Sequence, residues 1–295
     1  MQDRDFQQRF LFDQFPIRGE LVHLNQSWQE IIRRHSYPDP VQKLLGEMAA
    51  AAVLLSATLK FDGSLHLQIR GDGPLSLAVM ESTSERTVRG LAHWGGDVEN
   101  RDFEELVGSA TLIVTIENGM GERYQGIVDL SAGNLALALE DYMRRSQQID
   151  TRLWLSAENS QVSGMILQKM PEFNDKSDDD DYADAWPRIT QLADTIRRNE
   201  LSNLEFSSLL HRLFHEEDVR VFEKLPVSFR CHCSRDRVRG MLKMLGHAEV
   251  SDILKSEDEV KVNCEFCNQR YTFDSVDVEE IFASDIPLNT SRTQH

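Results

Sequence analysis

All four cysteines of the chain fall in its last quarter, as Cys231-His-Cys233 and, after thirty residues, Cys264-Glu-Phe-Cys267. Divalent zinc has no geometric preference of its own and accepts four thiolates tetrahedrally. Two short-spaced pairs brought together by a fold therefore form a complete ligand set with little chain strain. The flanking residues (Arg230, His232, Ser234 and Arg235; Asn263, Glu265, Asn268 and Gln269) are polar, unlike the surroundings of core thiols. Four sulfurs close the tetrahedron, so neither His232 nor His247 is required as a ligand, and no position is left for a catalytic water. That disfavours hydrolytic zinc chemistry. Thiolates are also oxidisable, so such a site is either a structural staple or a redox sensor.

Constitutive disulfides are the rival use of four cysteines. Residues 1–14 carry mixed charge without the apolar stretch of a signal peptide, and the longest apolar run, 48–55, is far shorter than the roughly 20 residues of a spanning helix. The expectation is a cytoplasmic chain, not membrane-associated, with its thiols reduced at rest.

Charge bears on the other common use of a zinc module. The formal net charge is −17, whereas binding nucleic-acid phosphates needs clustered Lys and Arg, so no nucleic-acid partner is expected. A local basic cluster, Arg230, Arg235, Arg237, Arg239 and Lys243, is read as offsetting the negative charge of a zinc tetrathiolate from around the site. Gly71-Asp-Gly73 lacks the third glycine of a dinucleotide-binding turn, and no GxxxxGK[ST], GxSxG or HExxH sequence occurs. Nothing supports an ATPase or a serine hydrolase, and no catalytic residues are assigned.

Along the chain, a helix is predicted over 40–59, with Asp39 as N-cap and Val41, Leu44, Leu45, Met48, Ala52 and Leu55 on one stripe. Alternation at Leu65, Leu67 and Ile69, a turn at Gly71-Asp-Gly-Pro74, and alternation at Leu75, Leu77 and Val79 predict a hairpin. Strands follow over 111–116 and 124–130 around Asn118-Gly-Met-Gly121, then a helix over 134–148 and strands over 151–157 and 161–170. The class is α+β: an N-terminal domain of antiparallel sheet and helix, a helical linker, and a small C-terminal zinc-binding module. Acidic residues crowd the stretch after Pro171 (Glu172, Asp175, Asp178, Asp179, Asp180, Asp181, Asp184), which marks a boundary. Over 187–223, Ile189, Leu192 and Ile196, then Leu209, Leu210, Leu213 and Phe214, recur at helical spacing and need a packing partner. In the last segment a short strand over 227–229 feeds the first cysteine pair. Ser234 caps a helix ended by Gly246, and Val260 and Val262, then Tyr271 and Phe273, flank the second pair as strands. A unit of this size with so few large apolar residues depends on its metal.

At this point the chain resembles the 33-kilodalton heat-shock family of redox-regulated holdase chaperones. The resemblance rests on the CxC…CxxC signature and on Arg18-Gly-Glu-Leu21, Ala57-Thr-Leu-Lys-Phe-Asp-Gly63, Gly71-Asp-Gly-Pro74, Gly121-Glu-Arg-Tyr-Gln-Gly126, Tyr142-Met-Arg-Arg-Ser-Gln-Gln148 and Met165-Ile-Leu-Gln-Lys-Met-Pro171. It implies a client-binding domain over 1–171, a redox-sensitive linker over 172–229, a zinc switch module over 230–287 and a tail over 288–295. It also implies one Zn2+ on Cys231, Cys233, Cys264 and Cys267, and oxidation to Cys231–Cys233 and Cys264–Cys267 disulfides with loss of zinc. The module and linker then unfold, and apolar surface opens to bind unfolding proteins without ATP. The expected partners are those clients, a second copy when oxidised, and ATP-dependent foldase chaperones downstream. Two other classes stand beside this one, a thiol-disulfide oxidoreductase using Cys264 and Cys267, and a zinc-ribbon nucleic-acid binder disfavoured by charge.

Overall fold

The computed structural model describes residues 5–59, 61–119, 121–130, 133–158, 161–171 and 180–283. The acidic residues before Asp180, Lys60, Met120 and the tail after 283 lie outside them. Contacts divide the chain into two compact units, residues 1–230 and 231–295.

The first unit runs β1 (Phe6–Phe12), β2 (Ile17–Leu24), α1 (Gln26–Ile32), α2 (Asp39–Thr58), β3 (Gly63–Gly71), β4 (Leu75–Thr83), β5 (Thr87–Trp94), α3 (Phe103–Val107), β6 (Ala110–Asn118), β7 (Arg123–Asp129), α4 (Leu135–Ser146), β8 (Thr151–Glu158) and β9 (Gln161–Lys169). It continues with α5 (Asp180–Ala193), α6 (Arg198–Asn203), α7 (Phe206–Phe214), β10 (Val219–Pro226) and β11 (Ser228–Phe229). Two sheets form, in the orders β10-β1-β2-β9-β8 and β11-β5-β4-β3-β6-β7. Every pairing is antiparallel except β11 on β5.

α2 lies between the sheets, packed on β2, β8 and β9 of one and on β3, β4 and β5 of the other. Its sequence explains this: residues 48–55 are apolar on every side and all are buried, the mark of a helix with no solvent face. By length and composition it is apolar enough to cross a bilayer, yet most of it is enclosed by protein. Its N-cap is Pro38, not Asp39, which is the first helical residue with Pro40 second. The fixed φ and missing N–H of proline suit either flank of a helix start, and Asp39 in the first turn faces the positive end of the helix dipole.

The central strands β2 and β9 of the five-stranded sheet are buried on both faces. Val22, Leu24, Leu153, Val162 and Ile166 join the core around α2. Phe6, Phe10, Phe12, Ile17, Leu21, Met165 and Leu167 form a second core with Ala185, Ile189 and Ala193 of α5, Leu201 of α6, and Phe206, Leu209, Leu210, Leu213 and Phe214 of α7. Gly19 makes room in that layer, because a Cβ there would sit 2.0 Å from the Phe10 ring. Helices α5, α6 and α7 thus cover a face of seven large apolar side chains, and a few polar ties secure them. Arg152 pairs with Asp194 at 2.7 Å, and Ser202 contacts Ser156 at 3.1 Å.

The linker differs from the reading of 187–223 as helices. α5 begins seven residues before Pro187 and carries that proline inside it, because Ala185 and Ile189 on either side of it are both buried in the second core. Residues 219–226 form strand β10, which pairs with β1 (Phe10↔Val221, Leu11↔Arg220). An open sheet edge beside Val219-Arg-Val-Phe outweighs its weak helical periodicity.

The second unit contains α8 (Arg235–Leu245), α9 (His247–Ser256), β12 (Val260–Asn263), β13 (Arg270–Phe273) and α10 (Ser275–Ala283). Ser234 caps α8 by accepting the Arg237 N–H, and Gly246 follows its last turn at φ 97°. The buried apolar core is seven side chains: Val238, Leu242, Val250, Val260, Phe273, Val278 and Ile281.

Candidate metal centre

Cys231 and Cys233 lie on the loop that ends at the Ser234 cap of α8. Cys264 and Cys267 form the turn between β12 and β13, closed by Cys264 N–H donating to the Gln269 carbonyl at 2.9 Å and Asn268 N–H donating to the Cys264 carbonyl at 2.7 Å. Asn268, at φ 56°, turns the chain back toward β13. Antiparallel pairing of Val260 with Phe273 and Asn263 with Arg270 holds the turn's base.

The fold brings all four sulfurs together. Their Sγ atoms lie within 4.8 Å of one another, with Cys231 to Cys264 at 3.6 Å and Cys233 to Cys267 at 3.4 Å. Zinc–sulfur bonds of about 2.3 Å place tetrahedral sulfurs about 3.8 Å apart, so these positions suit a single small ion. Both of these contacts join the loop to the hairpin, so one ion here would clamp the two segments. None of the four is joined in a disulfide, and Cys267 is the most buried.

Electrostatics favours a cation at this point. Burial, then the neighbouring thiols, push the Cys267 thiol far above its ordinary range, and burial also raises Cys264. At Cys231 burial is outweighed by hydrogen bonds from the Cys233 backbone and side chain, and the thiol is lowered. Four thiolates so close together repel one another, and a divalent ion is what lets all four lose their protons. The Tyr271 hydroxyl donates to Cys233 Sγ at 3.1 Å, and this bond to sulfur pushes the phenol up to about 12.

Three residues of the basic cluster make ion pairs of their own. Arg235 pairs with Asp277 at 2.8 Å, donates to the Thr272 carbonyl and lies over the Phe273 ring. Arg239 pairs with Glu280 at 3.1 Å, and Arg230 with Glu85 at 3.4 Å. In the second unit the arginines tie α8 to α10 and β13, and the side chain seen bonding a sulfur is Tyr271, which sequence reading placed only as a strand residue. α9 and α10 were also missed. One signal for α10 was legible, because Asp274-Ser-Val-Asp277 forms a reciprocal cap in which each aspartate accepts the other's N–H.

Comparison with known proteins places these features in context. The profile of the family described as Hsp33 protein matches residues 5–274. The 33 kDa chaperonin of Nitrosococcus oceani is 46% identical over 295 residues, and that of Methylobacillus flagellatus 44% over 297, each covering all of both chains. Among solved structures, the 33 kDa chaperonin of Thermotoga maritima has the same fold. Its TM-score is 0.81 at 24% identity, covering 95% of this chain and 99% of that one.

Proposed function

This chain belongs to the Hsp33 family of heat-shock chaperones, and from that premise we propose that it is a redox-regulated, ATP-independent holdase rather than an enzyme. The observation that carries the proposal is the cluster of four thiols at the centre of a unit whose apolar core is seven side chains. Bound zinc would hold the four sulfurs as thiolates and join the loop at Cys231 to the hairpin at Cys264, contributing on the order of 10–16 kcal/mol. The chain's own residues do the rest. Peroxide takes two electrons from each cysteine pair, so two thiols and one H2O2 give one disulfide and two waters, and the thiolates that bind metal are gone. Cys264 and Cys267 close first, because the two-residue interval suits disulfide geometry better than the one-residue interval between Cys231 and Cys233.

The unit is expected to unfold once its metal is lost. β10 and β11, which immediately precede Cys231 in the chain, end the linker whose helices cover Phe6, Phe10, Phe12 and Met165. Undocking that linker would open this apolar face to unfolding clients in the cytoplasm. The division follows: client-binding domain over 1–171, linker over 172–229, switch module over 230–287 and tail over 288–295. The active form is a dimer that passes clients to ATP-dependent foldases after reduction.

The test is light-scattering protection of a thermally unfolding client by reduced and by peroxide-treated protein, with zinc release and disulfides followed in parallel. The expected result is protection only after oxidation, rising with zinc release, and a Cys264–Cys267 bond preceding Cys231–Cys233. Equal protection in both states would leave zinc as a passive staple.

A further inference from the structure

The Tyr271 hydroxyl donates to Cys233 Sγ at 3.1 Å across 38 positions of chain. The two residues belong to different segments of the site. Cys233 lies on the loop that ends at the Ser234 cap of α8, and Tyr271 lies on β13, opposite Val262 of β12. A neighbouring contact keeps the segments in register: Arg235, at the start of α8, donates to the Thr272 carbonyl at 2.8 Å and lies over the Phe273 ring. The other three sulfurs take backbone donors, the N–H of Cys233 at Cys231, those of Phe266 and Cys267 at Cys264, and that of Gln269 at Cys267. Donors at Cys264 and Cys267 sit in the same turn as their sulfurs and travel with them. The bond from Tyr271 crosses from one segment to the other, so it lasts only while the segments stay together.

A thiolate that accepts a hydrogen bond shares its charge with the donor and attacks an electrophile more slowly, because the bond weakens as the sulfur lone pair is committed elsewhere. Tyr271 therefore slows Cys233 as a nucleophile toward peroxide. In that reaction the Cys233 thiolate attacks one oxygen, forms a sulfenic acid and releases hydroxide. The Cys231 thiolate then displaces a second hydroxide from the Cys233 sulfur and forms the disulfide, so two electrons pass from the pair to the peroxide. Tyr271 also shares its hairpin with Cys264 and Cys267. A Cys264–Cys267 disulfide rebuilds the turn around a sulfur–sulfur bond of about 2.05 Å and takes away two of the four sulfurs that join the hairpin to the loop. β13 then carries the phenol away from Cys233.

We propose that Tyr271 is a positioning residue that restrains Cys233 until Cys264 and Cys267 have reacted, so that closing the first pair releases the second. The proposal rests on the redox reading given above for the order of the pairs, whereas the restraint on Cys233 is measured without it. The test is pulsed maleimide alkylation of the reduced, zinc-loaded full chain, with each cysteine followed by mass spectrometry. Tyr271→Phe should speed alkylation of Cys233 about threefold or more, leave the other three cysteines near their wild-type rates and retain its zinc. With Co2+ in place of zinc, the variant should keep its tetrahedral absorption and shift the sulfur-to-metal charge-transfer band to longer wavelength, which a merely structural tyrosine would not do. A chain grown with ring-fluorinated tyrosine, a stronger donor of nearly the same shape, should instead slow Cys233, and this arm decides the matter if the phenylalanine variant fails to fold. Under peroxide, the wild-type Cys231–Cys233 bond should form after a lag that ends as Cys264–Cys267 closes, and Tyr271→Phe should abolish the lag. A Cys233 rate indifferent to both changes, or all four cysteines quickened together with loss of zinc, would overturn the restraint. A wild-type chain without the lag would overturn the coupling between the pairs. Client protection, measured separately, tests the chaperone reading and leaves the alkylation result standing.

Discussion

In the first unit, α2 is enclosed between two sheets, and a second layer of seven large apolar side chains on β1, β2 and β9 is sealed by α5, α6 and α7. In the second, three helices and a two-stranded sheet share seven buried apolar side chains around four thiols. The first has enough buried surface to hold itself together. A unit of some sixty residues with so small a core is marginal at best, so its stability passes to whatever the sulfurs bind. The contrast teaches where dependence on a bound ion can be built: the region whose four thiols could hold one is the region that burial alone does not secure.

Removing the metal should break this comparison most visibly. A chelator strong enough to strip zinc, or the pair Cys264→Ser and Cys267→Ser, should unfold the second unit completely while α2 and the sheets persist. Hydrogen exchange would then be fast over 231–283 and slow over 39–58. Equal protection of both units without metal would mean that the seven-residue core suffices.

The converse change acts on the first unit alone. Leu54 is fully buried on α2, and Leu54→Ala should cost about 2–5 kcal/mol, seen as a lower denaturation midpoint for the first unit with zinc content unchanged. A loss of zinc in parallel would show that the two units fold as one.

A smaller effect sharpens the account of the first unit's charges. Glu47 on α2 is raised above the ordinary carboxylate range by burial, against the attraction of Lys43 and Arg198. Its ionised form is therefore the costly one in the folded state. Below the unfolded pKa the group is protonated in both states and costs nothing, and the cost grows as pH rises through the folded pKa. Glu47→Gln should stabilise the first unit at pH 7–8 and give no gain near pH 3.5, as read by thermal melts across that range. A gain that persists at pH 3.5 would trace to packing, not charge.

Much of the candidate site was legible because metal-ligand spacing is a short-range property. Cys264 and Cys267 had to share a turn, and Cys231 and Cys233 had to sit within reach of one ion, whatever the rest of the chain did. Tyr271 was not legible, since a strand tyrosine bonding a thiol 38 residues away leaves no local trace. Nor were the partners of Arg235 and Arg239. A basic run beside cysteines suggests compensation of their charge, and only the packing of α10 supplied Asp277 and Glu280 as nearer acceptors.

The sequence by itself determined the two cysteine pairs, the α+β class, the helix α2 and the β3–β4 hairpin, because each rests on local spacing or periodicity. Tertiary structure alone decided that β9 would face two cores at once, with Ile166 toward α2 and Met165 toward the linker. It also decided that residues 219–226 would become an edge strand on β1 and that β7 would be the outer strand beside β6. These outcomes depend on which apolar faces meet across long stretches of chain. Burial on both sides of a strand erases the alternation by which a sequence shows its faces.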